Sequence, residues 1–387
     1  MTDLSKITCI EDLRLLAKRR VPRMFYDYAD SGSWTEGTYR ANEADFQPIL
    51  FKQRVAINME GRSTATTMIG QPVSMPVAIA PTGLTGMQHA DGEIAAARAA
   101  KKFGIPFTLS TMSICSIEDV AQHAGQGFWF QLYVMRDRDF IERLIDRAKA
   151  AGCTALVITL DLQILGQRHK DIKNGLSTPP KPTIANLINL ATKPRWCLGM
   201  AGTPRRKFGN IHGHVKGVTD MSNLGAWTAD QFDPRLNWGD VEWIKKRWGG
   251  KIIIKGIMEP EDARLAVDSG ADALVVSNHG GRQLDGAPSA IHALPGIVDA
   301  VGSQIEVHMD SGIRSGQDVL KAWALGARGT YIGRAFLWGL GAAGEAGVTK
   351  ALQIIHKELD TTMAFCGHTQ IGNVDKGIFR AGTYPVG

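Results

Sequence analysis

The sequence is poor in cysteine, and its cysteines show no pairing pattern. Five occur in 387 residues, and no CxxC pair is present among Cys9, Cys115, Cys153, Cys197 and Cys366. A disulfide framework usually shows an even number of cysteines, and a structural zinc site shows clustered ligands. We therefore expect a protein of a reducing compartment, with neither a disulfide framework nor a metal site.

Clustered charge and long apolar runs are also missing. The net charge of +6 is spread along the chain, without the basic runs of a nucleic-acid-binding surface. No apolar run reaches the length of a membrane span, and residues 1–20 lack the apolar core of a signal peptide. We predict a cytoplasmic protein without a nucleic-acid partner, with peripheral contact on the inner face of the cell membrane as the alternative.

What the chain does contain is an alternation of short apolar runs and helix-like stretches. Most of the helix-like stretches end in Gly, which supplies the left-handed conformation of a helix C-terminus. Eight apolar runs are bounded by Gly, Pro or Asn, at 76–81, 106–110, 129–133, 155–161, 251–256, 272–278, 305–310 and 329–334. This pattern predicts an α/β fold, a (β/α)8 TIM barrel with an N-terminal helical extension. We expect residues 1–387 to form one domain, with 167–250 as a lid or insertion after the fourth strand.

Hydrogen-bonding side chains collect at the C-terminal ends of these runs, where barrels of this class build their sites. A polar residue at one strand end is usually a cap or part of a turn. Such residues at nearly every strand end are harder to explain in that way. The sequence therefore predicts a site at this rim from Thr82, Ser110, Gln131, Tyr133, Thr159, Asp161, Lys255, Ser277, His279, Asp310 and Arg334.

The stretch "VVSNHGGRQLDG" (275–286) indicates the chemistry of this site. Two glycines leave His279 and Arg282 as the large groups after the sixth strand. A guanidinium can clamp a carboxylate while a neutral imidazole removes a neighbouring proton, an arrangement that suits a 2-hydroxy acid. Oxidising such a substrate requires a cofactor that accepts two electrons. After the last two strands, "DSGIRSGQDV" (310–319) and "YIGRAF" (331–336) predict a phosphate site with Arg314 and Arg334.

These motifs resemble those of the FMN-dependent 2-hydroxy-acid oxidase and dehydrogenase family, which includes glycolate oxidase, flavocytochrome b2 and mandelate dehydrogenase. "SNHGGRQLDG" is similar to the family's signature, and the resemblance extends in order through "FYDYADSG", "APTG", "PFTLST", "FQLYV", "DIKNG", "IIIKGI", "DSGIRSG" and "IGRAF". It covers roughly residues 10 to 365 and is closest to the bacterial L-lactate dehydrogenase branch. FMN is the cofactor that it implies.

The resemblance also implies a role for each matching position. His279 would be the catalytic base, Asp161 its charge partner and Arg282 the main carboxylate anchor. Tyr133 would bond the substrate hydroxyl, whether electrons leave as a hydride or through a carbanion. The other substrate-binding positions implied are Tyr26, Arg168 and Met112, the last leaving a roomy pocket. The implied FMN-binding positions are Ala80, Thr82, Ser110, Gln131, Thr159, Lys255 and Ser277 at the ring, Asp310 at the ribityl chain, and Gly312, Arg314, Gly333 and Arg334 at the phosphate.

The expected reaction is oxidation of an L-2-hydroxy acid, best L-lactate, with a quinone or another compound as electron acceptor. An oxidase that passes electrons to oxygen from a glycolate- or mandelate-type substrate is the alternative. Relatives suggest a homotetramer. Within the insertion, "TIANLINLATKPRWCLGM" (183–200) mixes apolar residues, Trp196 and flanking basic residues. That composition fits either a membrane-binding surface or an ordinary lid or subunit contact.

Three rival hypotheses are kept. "GLGAAG" (339–344) fits the dinucleotide-binding pattern GxGxxG, with Glu358 at about the expected distance, although "RAFLW" separates it from the preceding strand. An FMN barrel could also act as an isomerase or synthase, without net redox change. A barrel that binds an anion without catalysis is the third, and the pair of His279 and Arg282 argues against it.

Overall fold

Three helices and a short hairpin precede the barrel. The computed structural model describes residues 3–176, 183–215 and 230–386. Helices α1 (Ile10–Arg20), α2 (Arg23–Ala29) and α3 (Gly37–Ala44) form the predicted N-terminal extension. The hairpin of β1 (Thr66–Met68) and β2 (Gln71–Val73) follows them and was not predicted, because three-residue strands leave almost no alternation to detect.

Eight parallel strands then form a single sheet, and each corresponds to one of the predicted runs. They are β3 (Val77–Ile79), β4 (Thr108–Ser110), β5 (Trp129–Tyr133), β6 (Ala155–Thr159), β7 (Lys251–Ile257), β8 (Ala273–Val276), β9 (Glu306–Met309) and β10 (Gly329–Ile332). Strand β10 pairs with β3, and a bridge from Ile79 to Phe107 joins β3 to the segment before β4. The sheet closes on itself, so the predicted (β/α)8 barrel is confirmed.

Helices surround the strands. Those outside the 167–250 interval are α4 (Thr85–Gln88), α5 (Gly92–Phe103), α6 (Ile117–Ala124), α7 (Arg138–Ala150), α12 (Pro260–Asp268), α13 (Ala290–Val301), α14 (Gly316–Ala324) and α15 (Arg334–Phe365). The interval itself contributes α8 (His169–Lys173), α9 (Ile184–Ala191), α10 (Pro194–Gly202) and α11 (Trp238–Trp248). Two 3₁₀ turns, Ile371–Asn373 and Lys376–Ile378, follow α15.

The apolar core has two parts. The larger lies between the strands and the surrounding helices. A smaller cluster fills the barrel interior, where Met68 and Ile69 of the hairpin pack with side chains such as Trp129 and Tyr331. The hairpin therefore closes the N-terminal end of the barrel, and the opposite rim is left for a site.

The glycines of "GLGAAG" lie inside α15, which packs against α1. A Cβ at Gly341 would lie 2.6 Å from Val21 Cγ2, so glycine permits close approach of the two helices. The helix is interrupted at Ala343 and Gly344, but residues 345–358 contain no strand. A dinucleotide fingerprint needs its glycines in a strand-to-helix turn. The dinucleotide-binding hypothesis is therefore wrong.

Candidate active site

A cavity of about 310 Å³ opens at the C-terminal rim of the barrel. Its walls come from the strand ends, from α2 and from the interval after β6. Among the predicted site residues, those that line it are Ala80, Thr82, Met112, Tyr133, Arg168, Lys255, His279, Arg282, Asp310, Gly312, Arg314, Gly333 and Arg334. Residues between 80 and 334 thus meet at one place, and those at strand ends do so as the strand-end pattern predicts.

His279 lines the cavity and is hydrogen-bonded to Asp161, a predicted site residue that does not line it. His279 Nδ1 lies 2.9 Å from Asp161 Oδ1. Because an ionised carboxylate only accepts hydrogen bonds, Nδ1 carries the proton and Nε2 remains as a base. Burial raises the pKa of Asp161, but His279 and Lys255 outweigh it and hold that pKa below its ordinary value. The carboxylate is therefore charged and can stabilise an imidazolium.

The backbone around His279 explains why two glycines follow it. His279, Gly280 and Gly281 have φ values of 57°, 68° and 69°, so three successive residues adopt the left-handed conformation. A Cβ at Gly281 would lie 2.5 Å from the backbone nitrogen of Tyr39. Both the turn and the contact with the N-terminal extension therefore require glycine.

Two guanidinium groups lie at one end of the cavity. Arg282 and Arg168 sit over the ring of Tyr28, at 4.8 Å and 5.8 Å from its centroid. Arg282 Nη1 donates to the carbonyls of Tyr28 and Ser31. These bonds fix the guanidinium plane, and the rest of the fork can bind a carboxylate.

The structure corrects the prediction for Tyr26. Its side chain is buried beneath the extension, where its hydroxyl donates to Asp30 Oδ2 at 2.7 Å, and it does not line the cavity. Tyr28, two residues later, lines the cavity instead. Residues i and i+2 of a helix point about 200° apart, so only one of the two tyrosines of "FYDYADSG" can face the site.

Tyr133 and Lys255 complete the catalytic wall. Burial raises the pKa of Tyr133, so its hydroxyl stays protonated and can donate. Lys255 Nζ donates to Ser277 Oγ at 2.9 Å and lies 3.4 Å from Asp310 Oδ2. Burial acts to lower the pKa of Lys255, but the carboxylates of Asp310 and Asp161 outweigh it and raise that pKa. The lysine is therefore a charged group at the cavity wall.

Four predicted FMN-binding residues lie behind the wall rather than in it. Ser110 Oγ donates to Gln131 Oε1, and Gln131 Nε2 donates to Thr159 Oγ1. Ser277 Oγ accepts from Lys255 and from the backbone nitrogen of His279. All four are buried, and these bonds hold neighbouring strand ends together. Their contact with a cofactor remains a prediction.

Further cationic groups and open backbone line the same cavity around Gly333 and Arg334, and Arg334 shares the Ser31 carbonyl with Arg282. Burial, followed by the charge of Arg314, lowers the pKa of Arg334 to about 10. A Cβ at Gly333 would meet its nearest atoms, on Ala80 and Thr82, only at 3.9 Å, so the backbone there is open to the cavity. A buried cation, Arg334, and the partly buried Arg314 repel each other beside an open backbone, and such donors suit a phosphate. The residues present therefore fit the FMN that the motifs imply.

Several cavity residues were missed in the sequence. Tyr26 was predicted to bind the substrate, whereas Tyr28 is the tyrosine that lines the cavity. The interval after β6 also contributes cavity residues, namely Asp171, Leu176, Phe208 and Phe232. The strand-end pattern does not extend to this interval, so it could not predict which of its side chains reach the cavity. The "DIKNG" motif, which contains Asp171, was the one available signal among them.

Comparisons with known proteins agree with this geometry. The sequence pattern of the family described as FMN-dependent dehydrogenase matches residues 17–381. An L-lactate dehydrogenase of Pseudomonas syringae pv. syringae (strain B728a) is 46% identical over 374 residues, covering 96% of this chain and 98% of that protein. An L-lactate dehydrogenase of Caulobacter vibrioides (strain NA1000 / CB15N) is 44% identical, with 96% and 97% covered.

Solved structures are similar over the same length. The structure of the monotopic membrane protein (S)-mandelate dehydrogenase has a TM-score of 0.92 and 35% identity, covering 97% of this chain and all of that one. A structure of mandelate oxidase with benzoyl-formic acid has a TM-score of 0.80 and 35% identity, with 95% and 96% covered. The chain belongs to the FMN-dependent dehydrogenase family, and it is an FMN-dependent 2-hydroxy-acid dehydrogenase or oxidase.

Proposed function

We propose that the protein oxidises L-lactate to the 2-keto acid and passes the electrons to a quinone or another acceptor. The free Nε2 of His279 and the guanidinium of Arg282 face one cavity, and this observation carries the proposal. The high identity to proteins named L-lactate dehydrogenase supports lactate as the preferred substrate. Bound FMN would supply the two-electron acceptance that side chains lack.

Each residue of the cavity has its own role in the proposed reaction. Arg282 binds the substrate carboxylate through its fork, with Tyr28 and Arg168 beside it. Tyr133 donates to the substrate oxygen, and His279 Nε2 takes the proton that the substrate loses. Asp161 offsets the charge that then develops on the imidazole. Met112 and Phe232 form an apolar wall that excludes water from the reacting carbon.

We also propose which residues hold FMN. Lys255, Ala80 and Thr82 would border the ring, and Ser110, Gln131, Thr159 and Ser277 would support the strand ends around it. Asp310 lies where the ribityl chain would pass. Gly312, Arg314, Gly333 and Arg334 would bind the phosphate, for which their charges and open backbone are suited.

The reaction is tested by anaerobic mixing of the yellow holoenzyme with L-lactate, glycolate and L-mandelate in turn. Fastest bleaching of the flavin band with L-lactate is the expected result. Reoxidation by oxygen is then compared with reoxidation by a quinone analogue. An isomerase or synthase would bind a ligand without bleaching, and that outcome would overturn the proposed oxidation.

An oxidase acting on a larger substrate is the second candidate. The apolar cavity wall of Met112, Leu162 and Phe232 could accept a side chain bigger than methyl. Similarity to a mandelate oxidase points in the same direction. Faster bleaching by L-mandelate and faster reoxidation by oxygen would favour this candidate.

The pH profile should report His279. Burial lowers its pKa below the ordinary value of 6.5, and the opposing effect of Asp161 is smaller. We expect kcat/KM to be constant above pH 6.5 and to fall below it as the base becomes protonated. In the unfolded chain, His279 binds a proton at a higher pH than it does in the folded protein. The contribution of neutral His279 to the free energy of unfolding is therefore also lost as pH falls below 6.5. A fall in kcat/KM that is centred above pH 6.5 would contradict the proposed environment of His279.

We propose that residues 183–200 contact a membrane surface. Ile184, Leu187 and Ile188 are 78%, 61% and 65% exposed and lie on one face of α9 at i, i+3 and i+4, while Leu198 of α10 is 74% exposed. Both helices are also held to the body, since Asn189 Oδ1 of α9 accepts from the Arg23 backbone nitrogen and Trp196 Nε1 of α10 donates to the Met87 carbonyl.

Basic groups adjoin this apolar face. Lys193 Nζ donates to the Arg19 carbonyl, which brings the basic end of α1 beside the segment. The side chains of Lys18, Arg19, Arg23 and Arg195 are exposed. Basic residues beside exposed apolar residues match an anionic bilayer surface. No helix among the described residues is long and apolar enough to span a bilayer.

Replacing Leu187 and Ile188 together with glutamine should weaken vesicle binding by about 10²-fold, because each side chain contributes about 1.5–3 kcal/mol when it is buried. Flotation with vesicles that contain an anionic lipid measures this change. Val55, exposed by 76% and outside the segment, provides the control Val55→Gln. Equal binding by wild type and the double variant would refute the membrane contact and leave a lid or a subunit contact.

The interval 167–250 is further proposed to cover the site of a single-domain barrel. Arg168, Asp171, Phe208 and Phe232 all reach the cavity from this interval, which supports that role. A cytoplasmic homotetramer attached to the inner face of the cell membrane is the proposed state of the protein. Light scattering of the detergent-free holoenzyme tests the tetramer.

A further inference from the structure

The substrate end of the cavity holds one carboxylate beside its two guanidinium groups. Asp171 Oδ2 lies 2.6 Å from Arg168 Nε, three residues earlier at the start of α8. Its side chain is 8% exposed, against 18% for Arg168. In a site so far removed from water, each of these charges acts strongly on the others.

The second oxygen of Asp171 has no partner of its own. Oδ1 is buried and makes no hydrogen bond within residues 3–176, 183–215 and 230–386. A buried carboxylate oxygen without a partner is costly, and an apolar residue would avoid that cost. Asp171 also lines the cavity. Its negative charge can therefore act on a ligand as well as on Arg168.

The catalytic wall offers no uncompensated cation, because Lys255 faces the carboxylates of both Asp310 and Asp161. Lys255 pairs with Asp310 at 3.4 Å, and the neutral His279 bonds the Asp161 carboxylate. Arg334, which shares the Ser31 carbonyl with Arg282, is assigned to the FMN phosphate. Of the other charges here, Arg168 and Arg282 carry two positive charges and Asp171 removes one. One net positive charge remains there, which is the complement of one carboxylate.

We propose that Asp171 restricts the enzyme to 2-hydroxy acids with a single carboxylate. The inference rests on the proposed function, because it assumes that Arg282 receives the substrate carboxylate. A second carboxylate would meet Asp171 and would lack a second uncompensated cation. Asp171 thus sets specificity through charge and takes no part in the chemical step.

Binding by the oxidised holoenzyme tests the inference without turnover. Propionate and succinate differ by one carboxylate, and the flavin spectrum reports the Kd of each. In Asp171→Asn, the ratio of the succinate Kd to the propionate Kd should fall at least tenfold. Asp171→Glu keeps the charge and should keep the wild-type ratio. Asp360→Asn removes a carboxylate from a remote surface pair with Arg62 and should change neither Kd.

Turnover gives a second readout. In Asp171→Asn, kcat/KM for L-malate relative to L-lactate should rise at least tenfold, mainly through a lower KM for L-malate. A parallel loss with both substrates, or an unchanged ratio of Kd values, would overturn the inference and leave Asp171 as a structural support. Failure of the wild-type enzyme to oxidise any 2-hydroxy acid would instead overturn the proposed function. The ratio of Kd values would still test whether Asp171 discriminates against a second carboxylate.

Discussion

Replacing His279 with glutamine should leave a yellow protein that its substrate reduces about 10⁴-fold more slowly. Glutamine keeps a similar shape but has no basic nitrogen, so the proton that Nε2 would accept has no acceptor. The residues proposed to hold the phosphate are untouched. Stopped-flow measurement of flavin bleaching after anaerobic mixing with L-lactate gives the rate.

His292→Gln is the matched control. His292 is an exposed histidine on α13, and its replacement should change neither colour nor rate. Reduction of the His279→Gln protein within tenfold of the wild-type rate would show that another group is the base. Loss of colour in that variant would instead assign His279 a role in holding the cofactor.

Replacing Lys255 with methionine should have the second largest effect, on stability and on FMN affinity together. Methionine fills similar volume, but Asp310 then keeps a buried charge without its cation. Breaking a buried pair in this way costs about 3–5 kcal/mol. Urea unfolding of the apoprotein measures the loss. FMN affinity, measured by fluorescence titration, should fall at least tenfold because the cavity wall loses its cation.

Lys321→Met separates general destabilisation from the effect on FMN. Lys321 is also buried, but its Nζ donates to the Phe46 carbonyl away from the cavity. Its loss should cost about 1–3 kcal/mol, the cost of a buried acceptor without a donor. FMN affinity should not change. Equal FMN binding by the Lys255→Met and wild-type proteins would refute the proposed position of Lys255 beside the ring.

The barrel could be predicted from sequence because each of its strands is a short apolar run closed by Gly, Pro or Asn. Burial on both faces makes such runs nearly continuous, and β6 and β8 are buried at every position. The rim could be predicted as well, since parallel strands place all their C-terminal ends at one side. His279, Lys255 and Arg282 reach the cavity for this reason.

The placement of the other site residues could not be predicted, because it depends on tertiary packing that no short stretch of sequence indicates. Tyr26 and Tyr28 share one motif, and only the packing of α2 against the barrel decides which of them faces the cavity. Asp171 approaches from an interval without strands, so its neighbours could not be inferred from strand order. Ser110, Gln131 and Thr159 were assigned to the rim, but whether a strand-end side chain enters the cavity or bonds its neighbour depends on exact strand tilt.

Arg334 ties distant parts of the chain together, since it donates to the carbonyls of Ala29, Ser31 and Gly280. It follows β10, the strand that closes the barrel. During synthesis on the ribosome, the N-terminal extension must therefore wait until β10 and Arg334 have emerged before it can dock in its final place. Cofactor loading should accordingly be a post-translational event, and nascent chains that stop short of β10 should remain colourless.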